Sequence, residues 1–200
     1  MNILIDTVPT SVDIDGVEYE INSNFMYGIL FELLMQDSTI EEKDKIYMAL
    51  DLYYPVIPTN IDEAIEKILW FYRCGKNEAK VKSTGKDRGA TQIYSFEYDD
   101  DYIYSAFLDQ YGVDLQDIKY LHWWKFKAMF KSLKDDNMIV KIMGYRSTDL
   151  SKIKDKEQKE HYKKLKNLYK IPSSVSKSEK EKLSCIEKVL LNGGDVSKVL

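Results

Sequence analysis

Residues 11–36 read SVDIDGVEYEINSNFMYGILFELLMQ, and the change of rhythm inside this stretch sets the fold class. From Ser11 to Ile21 apolar and polar residues alternate, with Val12 and Ile14 before Asp15-Gly16 and Val17, Tyr19 and Ile21 after it. Alternation on both sides of an Asp-Gly pair predicts a β-hairpin with a two-residue type I′ turn. That turn sets Ile14 against Val17 and Val12 against Tyr19 on one face, and Asp13 against Glu18 on the other. Two acids tolerate each other only in solvent, so the apolar face must rest on helices. From Phe25 to Gln36 the alternation stops and apolar residues occupy nearly every side. That pattern predicts a central helix, capped by Asn22 or Ser23.

Helical signals continue along the chain. Ser38-Thr39-Ile40-Glu41 fits a capping box and opens a helix to about Tyr54, which Pro55 and Pro58 stop. A third helix starts at Asn60, with Ile61, Ile65, Ile68 and Tyr72 on one stripe and Trp70 opposite. Lys76 to Gln92 is charged, holds Gly85 and Gly89, and reads as a mobile loop. Asp99-Asp100-Asp101 opens a helix that Gly112 ends, since acids in a first turn favour the positive end of the helix dipole. Leu115, Ile118, His122, Phe126, Met129 and Leu133 share one face at helical spacing, which predicts a helix over 115–133. A shorter helix around Met138–Met143 follows, then a lysine-rich one from about Leu150 to Tyr169. Pro172 and the serines after it read as a linker to a last amphipathic helix bearing Leu183, Ile186 and Leu190. The expected fold is mainly α: a multi-helix globular domain with a small N-terminal β-hairpin over 1–171, then linker and helix over 172–200.

Charge is unevenly spread behind a formal net of -4. Residues 1–72 hold 3 Lys/Arg against 14 Asp/Glu, whereas residues 149–182 hold 11 Lys against 6 acids. Two such regions can attract each other within a chain or between copies, or can simply face solvent. Two cysteines, Cys74 and Cys185, without paired spacing suit a reducing compartment rather than a disulfide framework. The N-terminus lacks the basic start of a signal peptide, and the most apolar run is only about half the length of a membrane span. Cytoplasm is the expected location, with no membrane partner.

No catalytic or cofactor motif emerges. Two His and two Cys without ligand spacing do not make a zinc site, and the acids at 99–101 lack the glycine and distant Glu of a calcium loop. Ser83-Thr84-Gly85-Lys86 lacks the upstream Gly and the following Ser/Thr of a phosphate loop. His122 reads as a satisfied core histidine, since nothing places it beside Cys74 as a catalytic dyad would require. The lysines of 152–166 alternate with acids and lack Arg within the segment, which argues against nucleic acid and for a solvated or partner-facing helix. Tyr120 and Trp124 project away from the apolar face of the predicted 115–133 helix. That helix is either buried on two sides or presents an aromatic patch suited to a protein partner.

Three segments carry a family resemblance: Phe107–Leu115 (FLDQYGVDL), Leu121–Leu133 (LHWWKFKAMFKSL), and Ile142–Leu150 (IMGYRSTDL) with Lys156–Tyr162 (KEQKEHY) after it. In this order, behind a hairpin and helices, they resemble the "gene product fifteen" proteins of tailed phages and prophages of Gram-positive bacteria. The motifs cover most of residues 10–170, leaving out the 76–92 loop and the tail after Ile171.

The resemblance implies a gene in the tail cluster, between the major tail protein and the tape-measure protein. That position implies a tail assembly chaperone that keeps the tape-measure protein soluble and is absent from the finished virion. Implied partners are the tape-measure protein and a neighbouring tail assembly protein, with self-association as a further class. It implies no catalytic residues, cofactor or metal. A minor tail or virion protein is the alternative, and a phage nucleic-acid-binding or regulatory protein the next. Candidate partner contacts are Tyr120, Trp123, Trp124 and Arg146 in the body and Leu183, Ile186 and Leu190 in the C-terminal helix. That last helix would cover a groove until a client displaces it.

Overall fold

The computed structural model describes residues 2–76 and 92–172. The greater part of the expected 76–92 loop, and the C-terminal helix with Leu183, Ile186 and Leu190, lie outside the described residues.

Strands β1 (Ser11–Ile14) and β2 (Val17–Glu20) pair antiparallel, with Ile14 opposite Val17, Val12 opposite Tyr19 and Asp13 opposite Glu18. Asp15 and Gly16 both take positive φ, 52° and 77°, the backbone that a type I′ turn demands. Val12 and Ile14 are buried, whereas Val17, at the hairpin tip, is half exposed. The turn is clamped by side chains at positions 60 and 63, where the third helix of the chain begins. Asn60 Nδ2 donates to Asp15 Oδ2 at 2.8 Å, and the Asp15 amide donates to Glu63 Oε2 at 3.1 Å.

Seven helices follow among the described residues: α1 (Phe25–Gln36), α2 (Glu42–Tyr53), α3 (Ile61–Tyr72), α4 (Asp100–Tyr111), α5 (Trp123–Lys131), α6 (Met138–Ser147) and α7 (Lys156–Leu168). Helix α1 packs on α2 and α5, α2 on α3, α4 on α6, and α6 on α7; β1 rests on α3. The fold is mainly α with one small hairpin, as the sequence predicts.

Several boundaries shift for local reasons. Helix α1 is capped by Asn24, whose side chain accepts the Met26 amide, rather than by Asn22 or Ser23. Those two residues are engaged elsewhere: Asn22 Nδ2 donates to the Leu52 carbonyl, and Ser23 Oγ shares a hydrogen bond with Tyr120 Oη. The capping box ahead of α2 does not form. Asp37 instead holds the Thr39 amide and hydroxyl at 2.8 and 2.6 Å, and α2 begins at Glu42 behind a cap that makes no side-chain bond. Helix α7 is shorter than the lysine-rich stretch suggests, because Asp155 caps it by accepting the Gln158 amide at 2.7 Å.

The largest correction is the helix expected over 115–133. Only Trp123–Lys131 is helical. Asp114 closes a turn by accepting the Gln116 amide, and the chain then runs extended to His122. There it lies antiparallel to the start of α1, with Phe25 N donating to Leu121 O at 2.7 Å and Trp123 N to Ser23 O at 2.8 Å. This clasp joins the N-termini of α1 and α5. It lets the Trp123 ring lie so close over Gly28 that a Cβ there would fall inside the indole.

Candidate partner-binding groove

Helix α1 buries only one side. Phe25, Gly28, Phe31 and Leu34 face α2 and α5, while Met26 and Leu30, one turn apart, are each 49% exposed. Helix α4 turns Ile103, Ala106 and Phe107 inward and leaves Asp100 and Asp101 in solvent. Between the two helices lies a cavity of about 520 Å³. Its floor is Phe25, Phe96, Ile103 and Phe126, and its sides are Met26, Ile29 and Leu115.

The floor is a stack of rings. Phe126 stands at 5.1 Å from Phe25 and 4.9 Å from Phe107, both in stacked geometry. Rings that support one another this way leave little freedom for the floor to collapse, so the groove persists without an occupant. The Met26 wall behaves differently, since an unbranched thioether adapts its shape to whatever lies against it.

The rim is acidic. Asp100, Asp101, Tyr104 and Gln116 line the opening, and no lysine or arginine does among the described residues. The Tyr104 phenol hydrogen-bonds Asp114, and that bond raises its pKa, with the nearby Asp117 charge adding to the effect. Asp100 and Asp101 thus stand beside an apolar channel, in the first turn of α4 where amide dipoles favour negative charge.

The other candidate contacts are placed differently. Tyr120 is half exposed, its hydroxyl held to Ser23 Oγ at 2.8 Å. Trp123 and Trp124 do not form a surface patch; both are buried. Trp123 Nε1 donates to the Tyr72 carbonyl at 2.9 Å and Trp124 Nε1 to the Phe71 carbonyl at 2.7 Å. Trp123 thereby partners a carbonyl at the end of α3, and Trp124 adds a second bond to one that also accepts the Cys74 amide. Arg146 is also buried, against Asp99. The segment that looked like a hot spot is therefore the structural joint between α3, α1 and α5.

Two titratable groups lack the poise of catalytic ones. His122 Nδ1 accepts the Trp124 amide at 3.0 Å, so Nε2 carries the proton toward the Pro9 carbonyl 2.9 Å away. Burial lowers its pKa, opposed by the Pro9 bond, which keeps the ring neutral. Burial raises the Cys74 thiol despite neighbouring Lys127, Lys131 and Lys76, the reverse of an activated nucleophile. Lys127 itself stands 5.0 Å from the Trp123 ring and 5.7 Å from Tyr72, in an aromatic recess behind which Glu32 accepts hydrogen bonds from Tyr72 and Tyr94. No group of three or more His, Cys, Asp or Glu is arranged to hold a metal among the described residues. No helix there is long and apolar enough to cross a membrane.

The groove escapes sequence reading because its floor joins residues from Phe25 to Phe126, carried by four separate segments. The one sequence signal is the pair Met26 and Leu30 on a helix whose opposite face alone is needed for the core. A search of curated proteins and one of solved structures each found no match. The family model described as "Bacteriophage Gp15 protein" matches residues 4–171, running through the 76–92 stretch that the motifs alone left out. With 168 of 200 residues matched, this chain belongs to the bacteriophage Gp15 family.

Proposed function

We propose that this phage protein is a tail assembly chaperone that binds the tape-measure protein and keeps it soluble in the host cytoplasm until the tail tube forms. The observation that carries the reading is the groove between α1 and α4: a fixed aromatic floor, an adaptable methionine wall and exposed Met26 and Leu30 beside it. A long helical client exposes an apolar stripe that aggregates in water, and such a stripe seats in a groove of this kind through contacts spaced by one helical turn. The choice of client is supported by membership of the phage family and by the tail-cluster place that the resemblance implies. A neighbouring tail assembly protein is the second proposed partner.

Co-expression with the tape-measure protein tests the proposal. The tape measure should move from the pellet to the soluble fraction and co-purify with this chain. A tape measure that stays insoluble, or that is soluble but never co-purifies, counts against it. Mass spectrometry of purified particles separates a chaperone, which should be absent, from a minor tail protein, which should be present in fixed copy number.

A further inference from the structure

We infer that the α1–α4 groove takes a basic amphipathic helix, one whose apolar stripe is flanked by lysine or arginine, and rejects an acidic helix of the same shape. The inference rests on the reading of this groove as the client site and specifies the chemistry of the client segment.

The apolar part of the site gives affinity without much choice. Phe25, Ile103 and Phe126 below and Met26 beside offer carbon surface to any helix with a stripe of Leu, Ile or Phe. Selection must come from the rim, and there the charges are of one sign. Asp100 and Asp101 stand exposed on the α4 side and line the cavity. No lysine or arginine lines the cavity among the described residues.

Neither of these acids is neutralised by an ion pair among the described residues. Asp99, by contrast, is fully engaged by Arg146 and faces inward, so Asp100 and Asp101 can meet a partner while the structural acid cannot. A helix bringing lysines to both sides of its stripe would gain attraction at this rim. A helix bringing glutamates would meet like charge at close range, which costs more than the apolar floor distinguishes.

The test uses the full chain and three labelled 18-residue peptides followed by fluorescence anisotropy. One is an amphipathic Leu/Lys helix, one a Leu/Glu helix of the same pattern, and one a scrambled Leu/Lys sequence without a stripe. The Leu/Lys helix should bind at least about tenfold tighter than the other two in low salt, and raising the salt should shrink its lead over Leu/Glu. Asp100→Asn with Asp101→Asn should remove most of the preference, with circular dichroism showing the variant folded as the parent is. Met26→Glu should weaken the Leu/Lys helix through the apolar wall.

Equal binding of Leu/Lys and Leu/Glu overturns the inference, and so does equal binding of the scrambled peptide. If the chain self-associates and Lys163→Glu with Lys164→Glu opens the groove to both helices, the occupant is α7 of a second copy and the inference falls. The tape-measure protein run in the same assay keeps the two proposals apart. Tape-measure binding without a charge preference sinks the inference alone, and a charge preference without tape-measure binding sinks the assignment of the client.

Discussion

Arg146 grips Asp99 with two parallel hydrogen bonds, Nη1 to Oδ2 at 2.5 Å and Nη2 to Oδ1 at 2.9 Å. Their side chains are only 7% and 2% exposed. The same guanidinium donates to the carbonyls of Tyr169 at 2.6 Å and Ile93 at 3.1 Å, while Asp99 accepts the Ser95 amide at 2.8 Å. One side chain on α6 therefore fixes the start of α4, the segment before it and the end of α7. The α4 wall of the groove stands where this joint puts it.

Removing one partner of that pair leaves a buried charge alone. Arg146→Ala should cost about 3–5 kcal/mol in urea unfolding. Arg146→Lys should recover only a minor part, because an ammonium cannot supply the forked donors that reach a carboxylate and two carbonyls together. A lysine variant as stable as the parent would show that charge alone, rather than the fork, holds the joint.

Two glycines in helices should respond in opposite directions to alanine. Gly28→Ala places a methyl inside the space of the Trp123 indole and should destabilise by about 1–3 kcal/mol. Gly144→Ala meets nothing within 4 Å and should stabilise by about 0.5–1 kcal/mol through reduced freedom of the unfolded chain. Thermal melts of the two single variants decide the matter.

Tyr53 offers a test of buried polarity. Its hydroxyl is buried without a hydrogen-bond partner among the described residues, and desolvation raises its pKa far above the ordinary phenol value. Tyr53→Phe keeps the ring contacts with Phe31 and Phe71 while removing an unsatisfied group. It should stabilise the fold by about 1 kcal/mol. A loss of that size would reveal a partner for the hydroxyl.

Most of the architecture is legible in the sequence where local chemistry decides it. Asp15-Gly16 fixes the hairpin register, Asn60 and Gly112 mark helix ends, and the run from Phe25 to Gln36 has the observed bounds of α1. The 115–133 segment misleads because a turn followed by extended chain can put Leu115 and Ile118 against the same core as a helix would. Spacing of 3.6 does not distinguish them. The deciding contact, Asn24 beside His122, joins positions far apart in sequence. Spacing leaves the tryptophans open between burial and a surface patch for the same reason: what they bind is the carbonyl end of α3, which no local pattern reveals.

His122 makes stability depend on pH. Its pKa is lowered in the folded state below the ordinary value of 6.5, so the unfolded chain binds the proton more readily. The contribution is complete above about pH 6.5 and is lost as pH falls through that value toward the folded pKa. Urea midpoints should therefore drop between pH 7.5 and pH 5.5. His122→Asn, which can still accept the Trp124 amide, should show a smaller drop; an unchanged slope would assign the titration to other groups.

The account rests on the α1–α4 groove as the place where the client is held. Quantitative co-purification of the tape-measure protein with the parent chain and with Met26→Glu/Leu30→Glu measures this most directly. Both substituted positions are half exposed, so circular dichroism should show the variant folded as the parent is. The account predicts that the parent retains the tape measure in the soluble fraction and the variant loses most of it. A folded variant that retains as much tape measure as the parent would contradict it.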